Sequence, residues 1–221
     1  KDQIHHYLAG EDILGSGDAR FTEYRRKWDE NPKNLDHGNF PLHLDIETTS
    51  ICNLRCPFCA TTYSHFKDGF MSWKTVKRIL DEAGGEGLYA CKFNFRGEPF
   101  LHKELGRFIS YAKEKGIIDV FFNTNAVLLT EDKAKMVIDS GLDRIIISFE
   151  GFERFLYEKN RVGAKFEEVV ANVERLRNLR EKLGVSKPKI QIQALLVPEL
   201  RNRMDEFVKF WENRVDQVSY N

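Results

Sequence analysis

The chain has 221 residues, 42% of them hydrophobic, which is enough for one α/β domain with a sizeable core and short for two. Its 34 Lys and Arg balance 34 Asp and Glu, so the whole-chain field that draws a protein to nucleic acid or to an anionic membrane is absent. No run of about 18 apolar residues exists, and the start, Lys-Asp-Gln-Ile-His-His, lacks a signal peptide's basic and apolar regions. The expectation is a cytoplasmic protein with no nucleic-acid or membrane partner, acting on a small or locally recognised substrate.

Residues 1–41 read as an N-terminal arm with a short helix, in which Phe21, Tyr24 and Trp28 form a stripe at i, i+3, i+7. The stripe is expected to pack, with a lid over a pocket as the alternative, and the helix to stop at Asn31-Pro32, where proline ends the pattern. From Leu42 onward, short strands rich in Ile, Phe and Val alternate with amphipathic helices. The spacing predicts strands over 42–48, 90–96, 117–123, 143–149, 189–196 and 216–221, with helices over 72–83, 103–115, 131–140, 165–183 and 203–213. The longest helix carries Phe166, Val169, Val170, Val173, Leu176, Leu179 and Leu183 at helical period, a face that must lie on a sheet. Gly116, Gly141 and Gly184 fall just past helices, where a left-handed cap is wanted. Six βα units in a row, fewer than the eight of a closed barrel, predict an α/β fold over 42–221: a partial, open (β/α)6 TIM-like barrel.

The two faces of these strands differ. One is expected to be apolar: Leu42, Leu44, Ile46; Cys91, Phe93, Phe95; Ile145, Ile147, Phe149; Ile190, Ile192, Ala194. The other carries His43, Asp45, Glu47; Lys92, Asn94, Arg96; Asn123, Asn125; Ser148, Glu150; Gln191, Gln193; Ser219, Asn221. Parallel strands buried on both faces normally read as continuous apolar runs. A sheet with water on one side would explain the alternation, but right-handed βαβ crossovers of one sense roll the sheet up, with helices outside and the polar face lining a lumen. Buried polar groups must be paired or offered to a polar ligand, so that lumen is a candidate pocket.

Directly after the first of these strands, Cys52-Asn53-Leu54-Arg55-Cys56-Pro57-Phe58-Cys59 gives a C-x3-C-x2-C spacing, three thiols within eight residues. In a reducing compartment such clustering points to metal. Three thiolates on a [4Fe-4S] cluster leave the fourth iron without a protein ligand and open to exogenous donors, whereas four-cysteine clusters serve electron transfer. The competing reading is a structural zinc, with His65 or Cys91 closing the tetrahedron. Cys91 falls on the apolar face and His65 lies farther from Cys59 than usual ligand spacings, both of which count against zinc.

Cys52-Asn-Leu-Arg-Cys56-Pro-Phe-Cys59 after a strand resembles the cluster loop of the radical S-adenosylmethionine (radical SAM) superfamily. The resemblance runs on in order: Arg96-Gly97-Glu98-Pro99 is similar to the family's Gly-Gly-Glu-Pro element, Asn123-Thr124-Asn125-Ala126 to its Thr-Asn-Gly, and Ile147-Ser148-Phe149-Glu150-Gly151 to its Ser-Ile-Asp-Gly. Tyr157 and Arg161-Val162-Gly163 follow before the long helix. The pattern looks closest to the SPASM or twitch branch, whose members usually carry a cysteine-rich C-terminal extension.

The resemblance implies a [4Fe-4S] cluster on Cys52, Cys56 and Cys59 and SAM chelating the open iron. One-electron reduction would cleave SAM to methionine and a 5′-deoxyadenosyl radical, which takes hydrogen from a substrate in the lumen. It implies acceptors for the SAM amino group from Gly97, Glu98 and Pro99, Arg161 on the carboxylate, Ser148 and Glu150 on the ribose, and Phe58 against the adenine. Asn125 is a further cofactor or substrate contact; Glu47, Lys92, Asn94 and Gln193 are the substrate candidates. The partners implied are a polar substrate (a sugar, another small metabolite or a peptide) and a one-electron reductant of the flavodoxin or ferredoxin kind. No residue stands out as a catalytic base or radical relay; a zinc-stabilised or degenerate barrel acting as an interaction module is the alternative from another class. Three departures are visible: Arg96 replaces a glycine, Ala126 replaces another and makes φ above zero less expected there, and no second cysteine cluster appears by Asn221. Either an extension is missing from this sequence or the pocket is open on that side.

Overall fold

The computed structural model describes residues 6–10, 18–64 and 67–221. Strand β1 (His6–Gly10) and helix α1 (Ala19–Asn34) come first, then β2 (His43–Asp45), α2 (Ala60–Tyr63), α3 (Trp73–Gly85), β3 (Ala90–Lys92), α4 (Leu105–Glu114) and β4 (Asp119–Thr124). They are followed by α5 (Glu131–Asp139), β5 (Arg144–Ser148), α6 (Arg154–Asn160), α7 (Phe166–Lys182), β6 (Lys189–Ala194), α8 (Met204–Trp211) and β7 (Gln217–Tyr220).

The seven strands among the described residues form one sheet in the order β1-β7-β6-β5-β4-β3-β2. Strands β2 to β7 are parallel and neighbour one another in chain order, so every crossover advances the sheet in one direction and curls it. The sheet does not close, because β2 and β1 are its two edges; this is the open, six-unit arrangement expected. Strand β1, which pairs antiparallel with β7, has no counterpart among the predicted strands. Among the described residues, no helix is long and apolar enough to cross a membrane.

On the outer face, Cys91, Phe93, Phe122, Ile145, Ile147, Ile190 and Ile192 are wholly removed from water. Helix residues including Leu80, Phe108, Val137, Val173 and Trp211 join them in one core. Each large apolar side chain buried this way stabilises the fold by about 1.5–3 kcal/mol. Phe95 departs from expectation: it is 66% exposed, because strand β3 ends at Lys92 and the alternation that would have turned Phe95 outward ends with it. Gly116, Gly141 and Gly184 have positive φ past their helices, as predicted.

Helix α1 runs through Pro32 to Asn34 rather than stopping before the proline, and ends on Leu35 in a left-handed cap whose N–H donates to the Asn31 and Pro32 carbonyls. Phe21 and Tyr24 pack beside Ala90, and the Tyr24 ring stacks on Tyr89 at 5.7 Å. The helix therefore sits across the N-terminal ends of β2 and β3. There too, Arg144 makes two hydrogen bonds to the Asp119 carboxylate at 2.8 and 2.9 Å, with its guanidinium 3.9 Å from the centre of the Phe121 ring.

Candidate functional site

The chain leaves the ladder early in β2 and β3, and the residues released there build a rim at the C-terminal end of the sheet. The cysteine loop hangs from short polar contacts: Thr48 Oγ1 donates to the Phe93 carbonyl, Thr49 Oγ1 to the Gly69 carbonyl, and Met71 N to the Thr48 carbonyl. Inside the loop, Arg55 Nη1 donates to the carbonyls of Cys52 and Leu54, both at 2.8 Å, and Thr62 Oγ1 to that of Cys56. From across the barrel, the Val162 carbonyl accepts the Arg55 N–H at 3.0 Å.

Gly97 explains why glycine stands at that point. A Cβ there would lie 2.1 Å from the Thr49 carbonyl oxygen and 2.8 Å from that of Ile51, so the backbone that leads into the cysteine loop occupies the space of a side chain. The next residue, Glu98, donates its N–H to the Ile51 carbonyl. Its carboxylate is fully buried and accepts from Phe100 N, Thr124 Oγ1 and Asn125 N at 3.1, 2.7 and 2.9 Å. One carboxylate thus ties the ends of β3 and β4 together; burial pushes its pKa up, and the three donors work in the opposite direction. Pro99 opens a short 3₁₀ turn and is buried.

Ala126 sits at φ 57°, the left-handed conformation that its lack of a glycine made unexpected. Its N–H donates to Thr124 Oγ1 and its carbonyl accepts from Asn172 Nδ2, contacts that hold the strained residue in place. This turn aims Asn125, whose Nδ2 donates to Asn53 Oδ1 at 2.9 Å and reaches Cys52 Sγ at 3.9 Å.

A cavity of about 790 Å³ opens beneath the rim. Cys52, Cys56 and Cys59 all line it, together with Phe58, Gly97, Glu98, Asn125, Ser148 and Arg161. So do Lys92, Asn94, Asn123, Gln191, Gln193 and Asn221 from the face predicted to be polar, and His43 and Asp45 farther down. Three of the predicted site residues lie outside that lining. Pro99 is packed beneath the rim. Glu47 accepts both the Arg96 side chain and the Arg96 N–H, which lowers its pKa, chiefly through that guanidinium; Arg96 is the cavity-facing member. Glu150 is taken up by Arg161 through both carboxylate oxygens and by the Leu195 N–H at 3.2 Å.

Arg161 in turn reaches Cys56 Sγ at 3.7 Å, and its guanidinium lies 5.4 Å from the Phe58 ring centre. Burial opposes its charge, and Glu150 more than restores it. Burial raises the thiol pKa values of Cys52 and Cys56, with Arg161 pulling the other way; a metal that binds them displaces those protons. Three soft thiols around one cavity fit an iron–sulfur group. Cys91 is wholly buried and is not among the residues that line the cavity, and His65 lies outside the described residues.

Sequence reading missed Asn53, Arg55, Arg25 and Arg144, of which the last two line the cavity; Tyr24 and Trp28, whose stripe had a lid over a pocket as its alternative, line it as well. Arg144 shares strand parity with Ser148, and that signal was there to be used; for α1 the local signal was the aromatic stripe itself.

The family described as the Radical SAM superfamily matches residues 46–209, well over half of the sequence. The chain belongs to the radical SAM superfamily. Enzymes of this superfamily use a [4Fe-4S] cluster and SAM. The chain is 31% identical over 131 residues to the probable GTP 3′,8-cyclase of Methanococcus maripaludis, covering 59% of this chain and 43% of that protein. It is 27% identical over 173 residues to the tungsten-containing aldehyde ferredoxin oxidoreductase cofactor-modifying protein of Pyrococcus furiosus (77% and 48% covered). The PqqA peptide cyclase of Rhodopseudomonas palustris is 33% identical over 124 residues (56% and 32%). The chain spans less than half the length of these three curated relatives. Two solved structures share the radical SAM fold. Streptococcus suis SuiB bound to precursor peptide SuiA gives a TM-score of 0.66 at 21% identity, over 89% of this chain and 42% of that one. Native anSMEcpe with bound AdoMet gives 0.61 at 22% identity, over 78% and 49%.

Proposed function

We propose that this chain holds a [4Fe-4S] cluster on Cys52, Cys56 and Cys59, binds SAM at the iron they leave open, and directs the resulting radical at a polar substrate in the lumen. The observation that carries the reading is that the three thiols and the polar inner face of the sheet open onto the same cavity. When bound and reduced, the cluster supplies one electron to SAM, whose cleavage yields methionine and the 5′-deoxyadenosyl radical. The electron comes from a flavodoxin- or ferredoxin-like donor.

The chain's own residues orient the reactants. Ser148 turns its hydroxyl to the cavity with no protein partner among the described residues and suits a ribose hydroxyl. Phe58, 39% exposed on the wall, offers its ring to the adenine. The Gly97 peptide faces the cavity beside the cysteines and offers an acceptor to the SAM amino group, while Glu98 and Pro99 hold that peptide in place. Asn125, Glu150 and Arg161 complete the cofactor wall, with Glu150 acting through Arg161. Lys92, 3.3 Å from Asp45, together with Asn94 and Gln193, meets the substrate, and Glu47 contributes by fixing Arg96. A lining of amides and charges favours a polar substrate over a lipid. Relatives named for a peptide and for GTP are consistent with a peptide or a small polar metabolite.

The test is anaerobic reconstitution with iron and sulfide, followed by dithionite and SAM, with 5′-deoxyadenosine as the readout. The reading expects its formation and its loss in Cys56→Ala; a chain with a full cluster that releases no 5′-deoxyadenosine would sink the reading.

A further inference from the structure

Arg161 has an acceptor for each of its three nitrogens. Nε and Nη2 donate to the two oxygens of Glu150, and Nη1 points at Cys56 Sγ, 3.7 Å away. The two side chains are 12% and 1% exposed, and Glu150 is itself held by the Leu195 N–H. A guanidinium held through two of its nitrogens by one carboxylate has a fixed orientation; here its third nitrogen faces the sulfur of a cluster cysteine. Asn125 repeats the arrangement on another cysteine. Its Oδ1 accepts the Val127 N–H at 3.0 Å and its Nδ2 donates to Asn53, which leaves the amide fixed with Cys52 Sγ within reach at 3.9 Å.

We propose that Arg161, Glu150 and Asn125 set the reduction potential of the cluster through the sulfurs of Cys56 and Cys52. This rests on the cluster assignment made above. Reduction adds one negative charge, part of it borne by the sulfurs, so an N–H donor or a positive charge beside them favours the reduced form and raises the potential. A negative charge at the same place lowers it. Burial keeps both effects from being screened away. Arg161 and Glu150 therefore pull in opposite directions, and the potential depends on their balance. The geometry adds to the SAM-binding roles suggested by the sequence: the arginine's N–H groups are already committed to a carboxylate and a thiol before any ligand enters.

The test is an EPR-monitored redox titration of the anaerobically reconstituted chain without SAM, which removes any role in cofactor binding from the readout. Arg161→Gln removes a positive charge and a donor and leaves Glu150 uncompensated; its reduction equilibrium constant should fall at least tenfold, a shift of 59 mV to more negative potential for one electron. Glu150→Gln keeps the shape and exposes the arginine's charge, so its potential should shift to the positive side. Arg161→Lys keeps the charge and should recover part of the loss, and Asn125→Ala should give a smaller negative shift. A merely structural ion pair predicts no such sign reversal. Equal cluster content with Arg161→Gln and Glu150→Gln both unmoved, or both moved the same way, overturns the proposal. Failure of Arg161→Gln to hold a cluster leaves the sign of the Glu150→Gln and Arg161→Lys shifts to decide. A native chain that takes up no cluster overturns the underlying assignment, and this proposal with it.

Discussion

Both ends of the lumen bury an arginine against a carboxylate, and the two pairs face different things. At the rim, Arg161 and Glu150 lie beside Cys56, and the guanidinium's free edge meets a sulfur. At the floor, Arg144 and Asp119 lie beneath the Phe121 ring near the ends of strands that α1 covers. The rim is made of residues that follow the strands: the cysteine loop and Gly97-Glu98 after β2 and β3, which end after three residues each, Asn125 after β4, and Glu150 and Arg161 after β5. The floor is made of strand residues in regular register. A fold that stops its strands early on one side obtains loops that can carry chemistry, while at the opposite end α1 and a buried ion pair fill the mouth of the lumen.

Three substitutions test that division. Gly97→Ala strikes the rim: its Cβ would lie 2.1 Å from a backbone oxygen, so the cluster loop must move. The expected outcome is the largest of the three, a chain folded by circular dichroism that no longer takes up iron and sulfide. Arg144→Met strikes the floor and leaves Asp119 buried without its partner; urea unfolding should show a loss of about 3–5 kcal/mol, while the folded protein still takes up a cluster. If the floor variant lost the cluster and the rim variant kept it, the division would be wrong. Cys91→Ala is the smallest change. It empties a sulfur-sized space in the outer core, costing about 1 kcal/mol, and should leave cluster absorbance at its native level; a loss of that absorbance would make Cys91 a ligand after all.

The sequence carried the rim further than the floor. Strands and helices from Leu42 onward were legible because periods of two and of 3.6 alternate cleanly, and the cysteine spacing with Gly97-Glu98-Pro99 marked where the loops gather. What the motif could not convey was partnership. Glu150 and Arg161 were read as two separate cofactor contacts, and Glu47 as a substrate contact, because nothing in their spacing shows that each carboxylate meets an arginine at the same rim. Ala126 was read by intrinsic preference, and the contacts of Thr124 and Asn172 override it. Strand β1 depends on long-range pairing with β7 that no local pattern encodes, whereas the aromatic stripe of α1 pointed to packing or a pocket without saying against which strands.

The central claim is that Cys52, Cys56 and Cys59 leave one iron of a [4Fe-4S] cluster open to SAM. Its most direct test is the EPR spectrum of the reduced, reconstituted chain recorded before and after addition of saturating SAM. The account predicts a four-iron signal whose shape changes when SAM is added, and no such signal from Cys56→Ala. A four-iron signal indifferent to SAM, or one that survives the loss of Cys56, would contradict it.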